Sequence, residues 1–310
     1  MEQITNTVLM VRPVAFRMNE QTAVNNFFQE KLQLKNEEIN KKAQEEFDSF
    51  VKNLESVGVN VVVVNDKKEL DTPDSIFPNN WVSFHQDGTA VVYPMFAENR
   101  RRERRMDFFE ELESRGFKIN EVLDYTKAEE EDVFLEGTGS MILDRENQKA
   151  YCALSPRADE DLLIEFCEDM EFTPVIFSAY QDVEGKRKLI YHTNVMMCVA
   201  DEFAVICLDC IDDKKERNNV KRHLKEDGKE IIEITEAQIH EFAGNMLQLK
   251  GANDKKYLVM STTAHKSLTR DQIRRIEKHC EILSSDINSI ETCGGGSARC
   301  MMAEVFLPKA

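Results

Sequence analysis

Glycine and proline are scarce, at 12 and 7 of 310 residues, which excludes a collagen-like, low-complexity or linker-dominated chain. Positive charge is also in short supply. Forty Lys and Arg face 57 Asp and Glu, for a net charge of −17. That balance argues against a nucleic-acid partner, because counterion release needs clustered basic residues. Solubility is its ordinary consequence. No apolar run reaches membrane-spanning length, so no membrane partner is expected; the longest, Val59 to Val64, is broken by Asn60 and ends at Asn65. The stretch Met1 to Asn6 has neither the basic head nor the apolar core of a secretory signal. The eight cysteines are therefore expected to be reduced thiols of a cytoplasmic protein. The single CxxC, Cys207 to Cys210, lacks a second pair and a histidine at zinc spacing, so strand packing is expected of it and no metal site is expected in the chain.

What the chain does have is a hydrophobic fraction of 42%, enough for a sizeable core in one large or two small domains, and a repeat. Four times it writes a strand, a polar turn and a second strand of β-branched, aromatic and apolar residues. The first runs from Trp81 through Gln86-Asp87-Gly88 to Tyr93, the second from Ser140 to Leu154, the third from Val195 to Leu208, and the fourth from Met246 to Met260. Asp-Gly in the first is a strong tight-turn signal. After each hairpin comes a charged amphipathic segment expected to be helical: Arg100 to Ser114, Asp159 to Met170, Asp212 to Glu226 and Thr269 to His279. A further short strand follows each, at Phe117 to Ile119, Pro174 to Phe177, Ile231 to Ile234 and Glu281 to Leu283. A fifth unit is split across the chain ends, with Cys300 to Phe306 and Thr7 to Val11 as its hairpin strands, a helix over Asn19 to Glu55, and a strand over Val59 to Val64. Five ββαβ units closing into a ring would remove exposed sheet edges. The expectation is an α/β chain forming one domain over residues 1–310.

One polar residue stands just before or at the start of the first strand of every unit: Asn80, Glu136, His192, Asn245 and Cys300, separated by 56, 56, 53 and 55 residues. Equivalent positions in a ring converge near its axis. Short polar residues commonly begin strands, so each alone signifies little. A Cys, a His and a Glu in phase supply a nucleophile, a proton shuttle and an orienting carboxylate.

These residues lie in motifs. The chain resembles the guanidino-group-modifying superfamily, which includes arginine deiminases, dimethylarginine hydrolases and amidinotransferases, and within it the arginine-deiminase-related citrulline utilisation hydrolases. The resemblance runs from Leu9-Met10-Val11-Arg12-Pro13 to Cys300-Met301. Gly294 to Met301 is similar to the glycine-rich nucleophile loop, with Cys300 as the matching cysteine. Glu136-Gly137-Thr138-Gly139 resembles the Glu-Gly-Gly-Asp motif, His192-Thr193-Asn194 the His-x-Asp motif, and Pro73 to Asn80 the Pro-Asp-x-x-Phe-x-Arg/Glu-Asp motif. The resemblance implies a five-bladed α/β-propeller and a cysteine-dependent reaction without cofactor on a small amino-acid substrate. Cys300, His192 and Glu136 would be catalytic. Asp74, Asn79, Asn80 and Asn194 would meet the substrate. Arg157, in Ser155-Pro156-Arg157-Ala158, would hold its carboxylate, with Arg100 as second choice.

Two departures bear on the substrate. Relatives acting on guanidinium groups carry aspartates where this chain has Asn80 and Asn194. An aspartate only accepts hydrogen bonds and suits a donor-only cation; an asparagine offers both donors and an acceptor, without charge. The exchange favours a neutral ureido group, hence citrulline, going to ornithine, ammonia and carbon dioxide through a covalent Cys300 intermediate. Arginine deiminase or amidinotransferase chemistry on a guanidino substrate is the alternative, and a catalytically silent binding protein is another. A protonated His192 or Arg299 is the expected cationic neighbour of the thiolate, with Glu136 orienting the imidazole. No role falls to Asn245 beyond satisfying backbone groups. Arg100 to Arg105 are expected mostly to pair in solvent with Glu110, Glu111 and Glu113, and Glu129 to Asp132 to form a solvated loop.

Overall fold

Short runs of alternating or continuous apolar residues separated by tight turns give antiparallel strand pairs in this computed structural model, which describes residues 1–309. Five such pairs are each extended by a third strand into a three-stranded sheet. The first sheet holds Val82–Phe84, Thr89–Val92 and Glu121–Asp124. The second holds Met141–Asp144, Lys149–Ala153 and Thr173–Phe177. Met197–Val199, Phe203–Ile206 and Glu230–Glu233 make the third; Leu247–Lys250, Lys256–Ser261 and Glu281–Ser285 make the fourth. The fifth joins the chain ends, with Ala303–Glu304, Thr7–Arg12 and Asn60–Asn65. In all five the first two strands are antiparallel and the last two parallel.

A parallel pair needs a crossover, and a helix supplies it in every sheet: Asp107–Ser114, Glu160–Asp169, Lys214–Glu226, Arg270–Ile276 and, in the fifth, Asn36–Ser56. Their starts are set by sequence. Asp159 and Asp213 accept from backbone N–H groups in the first turns of their helices, and Thr269 forms a capping box with Gln272. The longest helix buries Ile39, Ala43, Phe47, Phe50 and Leu54, a stripe at helical spacing. The middle strands Thr89–Val92 and Phe203–Ile206 are buried at every position because they are covered on both faces. No helix is long and apolar enough to cross a membrane among the described residues.

Several elements differ from the sequence expectation. The helix expected over Asn19 to Glu55 begins only at Asn36. Before it, the side chains of Asn19 and Asn26 accept from the backbone N–H of Gln21 and Phe28, and such local bonds compete with a helix. The helix expected from Arg100 splits into a 3-10 stretch, Glu98–Glu103, and a helix from Asp107, because Arg100 turns inward. The third strand of the first sheet lies at Glu121–Asp124, since Phe117 and Lys118 pair instead with Lys309 and Pro308 of the C-terminal tail. Cys300 lies in a 3-10 turn, Ala298–Met301, ahead of a strand of two residues. An extra hairpin, Tyr180–Val183 with Lys186–Leu189, was not apparent from the repeat.

The repeat's functional consequence is a set of turns at one position in four of the five units. Pro78–Asn80, Gly137–Ser140, Thr193–Val195 and Ala298–Met301 each form a short helical turn just ahead of a first strand. These turns touch one another, so the in-phase residues of different sheets are brought into one place.

Candidate active site

A narrow cavity with about 260 Å³ of empty space, its mouth included, is lined by Asp74, Asn80, Arg100, Arg157, His192 and Cys300, with Thr22, Asn26, Phe77, Tyr191, Gly294 and Gly296 completing it. Glu136 stands behind His192 and is fully buried. Its Oε2 lies 2.7 Å from His192 Nε2. A carboxylate only accepts, so Nε2 carries the hydrogen and, in the neutral ring, Nδ1 is the acceptor. The turn Gly137–Ser140 makes this contact possible. A Cβ on Gly139 would run into Asn80 Nδ2 and come within 2.9 Å of the His192 ring.

Burial works to raise the Glu136 carboxyl, but Arg157, His192 and Arg100 outweigh it and hold the group down at about 2. Burial also drives the His192 pKa down to about 4, against the pull of Glu136. His192 is thus neutral near pH 7, which corrects the expected imidazolium: removing the ring from water costs more than one carboxylate returns. The other expected cation, Arg299, is also directed elsewhere. Its guanidinium donates to the Met302 carbonyl and to Glu304.

Cys300 Sγ instead meets two amides. Asn194 Nδ2 is 3.3 Å away and Asn245 Nδ2 is 3.2 Å away. Asn194 is fully buried beside the sulfur, and does not line the cavity. Asn79 likewise lies outside the lining, with both side-chain polar atoms buried and unpartnered. Its backbone carbonyl accepts from Thr138 Oγ1 at 3.3 Å.

Arg100 is neither exposed nor paired with the helix that follows it. Its guanidinium is bidentate to Glu103 at 2.9 Å and 2.9 Å, and Nη1 donates to Asn80 Oδ1 at 2.8 Å. Burial works against this cation, and Glu103, Asp74 and Glu136 outweigh it. The remaining arginines of the run are engaged elsewhere than expected: Arg104 and Arg101 with Glu129, Arg105 with Asp107, and Arg102 with the Asn99 and Asp71 carbonyls. Glu129 is therefore tied down and not part of a solvated loop. Cys207 and Cys210 are buried with their sulfurs 3.0 Å apart. No group of three or more His, Cys, Asp and Glu is placed to hold a metal ion among the described residues.

The segment before the first long helix was missed by sequence reasoning. Arg157 Nε donates to Asn25 Oδ1 at 3.0 Å, and its Nη2 reaches Asn25 and the Thr22 carbonyl. Arg157 Nη1 is 3.5 Å from Glu136. Asp74 Oδ2 accepts from Asn19 at 2.8 Å and Thr22 at 3.2 Å, and Gln29 donates to the Gly294 carbonyl. The available signal was composition: Asn19, Thr22, Asn25 and Asn26 favour turns over helix interiors.

A family model described as eukaryotic N,N-dimethylarginine dimethylhydrolase matches residues 12–307. The chain belongs to this family. Solved structures that are similar to it include the following. ArgZ, an arginine dihydrolase from the ornithine–ammonia cycle in cyanobacteria, aligns over 98% of this chain at 16% identity and a TM-score of 0.74. That alignment covers 41% of ArgZ, so the chain spans about two fifths of that enzyme's length. The N-terminal domain of ArgZ bound to substrate aligns over 97% of this chain and 99% of its own, at 17% identity and a TM-score of 0.71. A dimethylarginine dimethylaminohydrolase adduct with S-methyl-L-thiocitrulline gives 14% identity, a TM-score of 0.62, and coverage of 97% and 99%. At such identities the likeness is one of fold. No curated protein sequence matches the chain.

Proposed function

We propose that this member of the dimethylarginine dimethylhydrolase family is a cysteine-dependent hydrolase of ureido amino acids, converting citrulline to ornithine, ammonia and carbon dioxide. The chain acts as one domain, with the five sheets closed into a propeller-like ring whose axis runs through the cavity. The observation that carries the substrate assignment is the state of Asn80. Arg100 has only donors, so its bond to Oδ1 fixes the orientation of the Asn80 amide. The group left over is Nδ2, buried and without a partner, on a residue that lines the cavity. A donor there answers a ureido carbonyl oxygen. Against a guanidinium it would set N–H against N–H and leave both unsatisfied, which in a buried site is costly.

Cys300 attacks the ureido carbon as its proton passes to neutral His192. The imidazolium so formed is steadied by Glu136 and returns the proton to the ornithine nitrogen as the C–N bond breaks. An S-carbamoyl Cys300 remains. Water then attacks the same carbon, gives a proton to His192 and expels the thiolate, releasing carbamate, which decays to ammonia and carbon dioxide. Arg157 is the cation available for the α-carboxylate, once Asn25 and the Thr22 carbonyl give way to it. The chemistry requires neither metal nor organic cofactor.

A second reading, hydrolysis of arginine, is favoured by Asp74. This carboxylate lines the cavity and its Oδ1 is buried without a partner, an acceptor suited to a guanidinium. Asn80→Asp separates the two readings. It replaces the free donor with an acceptor, so kcat/KM for citrulline should fall by roughly 10- to 100-fold, as for a lost hydrogen bond to a buried polar group, while that for arginine rises. Unchanged preference in this variant would remove Asn80 from substrate selection and leave the arginine reading ahead.

A further inference from the structure

Among the described residues, the side-chain hydrogen bonds that reach the Cys300 sulfur come from amides and not from a cation. Of the charged and titratable groups facing Cys300 from the walls of the cavity, Arg157 and Arg100 are each bonded to other residues, Asp74 is held by Asn19 and Thr22, His192 is bonded to Glu136, and Tyr191 Oη donates to the Gly295 carbonyl. On its own turn Arg299 points to Glu304. What does reach the sulfur is Asn245 Nδ2 at 3.2 Å, joined by Asn194 Nδ2 at 3.3 Å.

The Asn245 amide admits only one orientation. Its Oδ1 accepts from the Arg299 backbone N–H at 3.0 Å, and its Nδ2 donates to the Asn194 backbone carbonyl at 3.0 Å. Flipping it would set donor against donor at one contact and acceptor against acceptor at the other. The second hydrogen of Nδ2 is therefore committed to the sulfur. Both backbone partners belong to the turns that carry the site, so the fold itself aims this donor. Asn245 is fully buried, where such a bond is little diluted by water.

We propose that Asn245 is a further catalytic residue, which with Asn194 forms a two-amide cradle that stabilises the Cys300 thiolate as its proton passes to His192 and receives that thiolate again when the carbamoyl group leaves. This rests on Cys300 being the nucleophile. A neutral cradle stabilises negative charge at the sulfur by dipoles already in place, and it keeps that charge from being neutralised by an ion pair, which would blunt its nucleophilicity.

The test is thiolate absorbance near 240 nm against pH, taken as the difference between the wild-type protein and Cys300→Ala, then repeated in Asn245→Ala and Asn245→Asp. Asn245→Asp keeps the size and the acceptor for Arg299, so it serves if the alanine variant does not fold; near-UV circular dichroism reports folding. The cradle requires the Cys300 step to move to higher pH by roughly 1 unit in Asn245→Ala, the effect of one lost hydrogen bond to a charged group, and further in Asn245→Asp. Turnover at neutral pH should fall about tenfold or more in parallel and recover partly as pH rises. A residue that merely braced the backbone would leave the midpoint in place, and that result overturns the proposal, as does a wild-type Cys300 that titrates like a free cysteine. Turnover that persists in Cys300→Ala would instead remove the nucleophile assignment, a separate failure.

Discussion

Asn80 and His192 show how far a residue's environment can redirect its chemistry. Both were legible in the sequence as in-phase polar residues, and the donor capacity of asparagine already pointed to a ureido group. Their actual states were not legible, because they depend on burial and on Arg100, which the sequence placed in a solvated charged run. His192 carries a measurable consequence. Its pKa falls from 6.5 to about 4 in the fold, so below pH 6.5 the unfolded chain takes up a proton that the folded one refuses. This contribution to stability is fully present above pH 6.5 and is lost as pH falls towards 4, on the order of 3 kcal/mol in total. Glu136, held at about 2 against an ordinary 4.5, adds a loss of its own as pH falls from 4.5 towards 2. Urea midpoints measured from pH 7 downward should therefore decline, and His192→Gln should flatten the decline between pH 6.5 and 4. An unaltered slope in that variant would mean that His192 is protonated in the folded protein.

Among the elements, the short turns that precede the first strands matter more than the strands they start. Gly137–Ser140 places Glu136 behind His192 and at the same time leaves room for the Asn80 amide. A methyl group on Gly139 would displace Asn80 Nδ2 and press on the imidazole, while the turn's backbone could remain as it is. Gly139→Ala should cut kcat/KM by about 100-fold or more, since small misplacements at a reacting centre carry that penalty, and cost only about 1–3 kcal/mol of stability, typical of overpacking. Activity within a factor of about two of wild type would show that the packing around His192 and Asn80 is not needed. The hairpins and crossover helices were legible because burial imposes periods of about 2 and 3.6 on the sequence. The segment Asn19–Gln29 was not, because its apolar residues Val24, Phe27 and Phe28 fit a helical stripe while its asparagines bond their own backbone and the residues of the site. The extra hairpin Tyr180–Leu189 escaped for a related reason: it is mostly polar and exposed, and lies outside the repeat.

For the molecule as a whole, a spacing of 53 to 56 residues between single polar residues becomes a site because the similar units bring equivalent turns, present in four of the five, together. The five repeated sheets could be reached from this arithmetic, and so could the meeting of Asn80, His192 and Cys300 at one cavity. The arrangement around the sulfur could not, since it depends on hydrogen bonds between turns more than fifty residues apart. The central claim is that this assembled site hydrolyses a ureido group through Cys300. Its most direct test is to incubate the purified protein separately with citrulline and with arginine and to follow ornithine, citrulline and ammonia, with Cys300→Ala alongside. Ornithine and ammonia should form from citrulline, and neither should form in the variant. Citrulline accumulating from arginine, with citrulline itself left untouched, would contradict it.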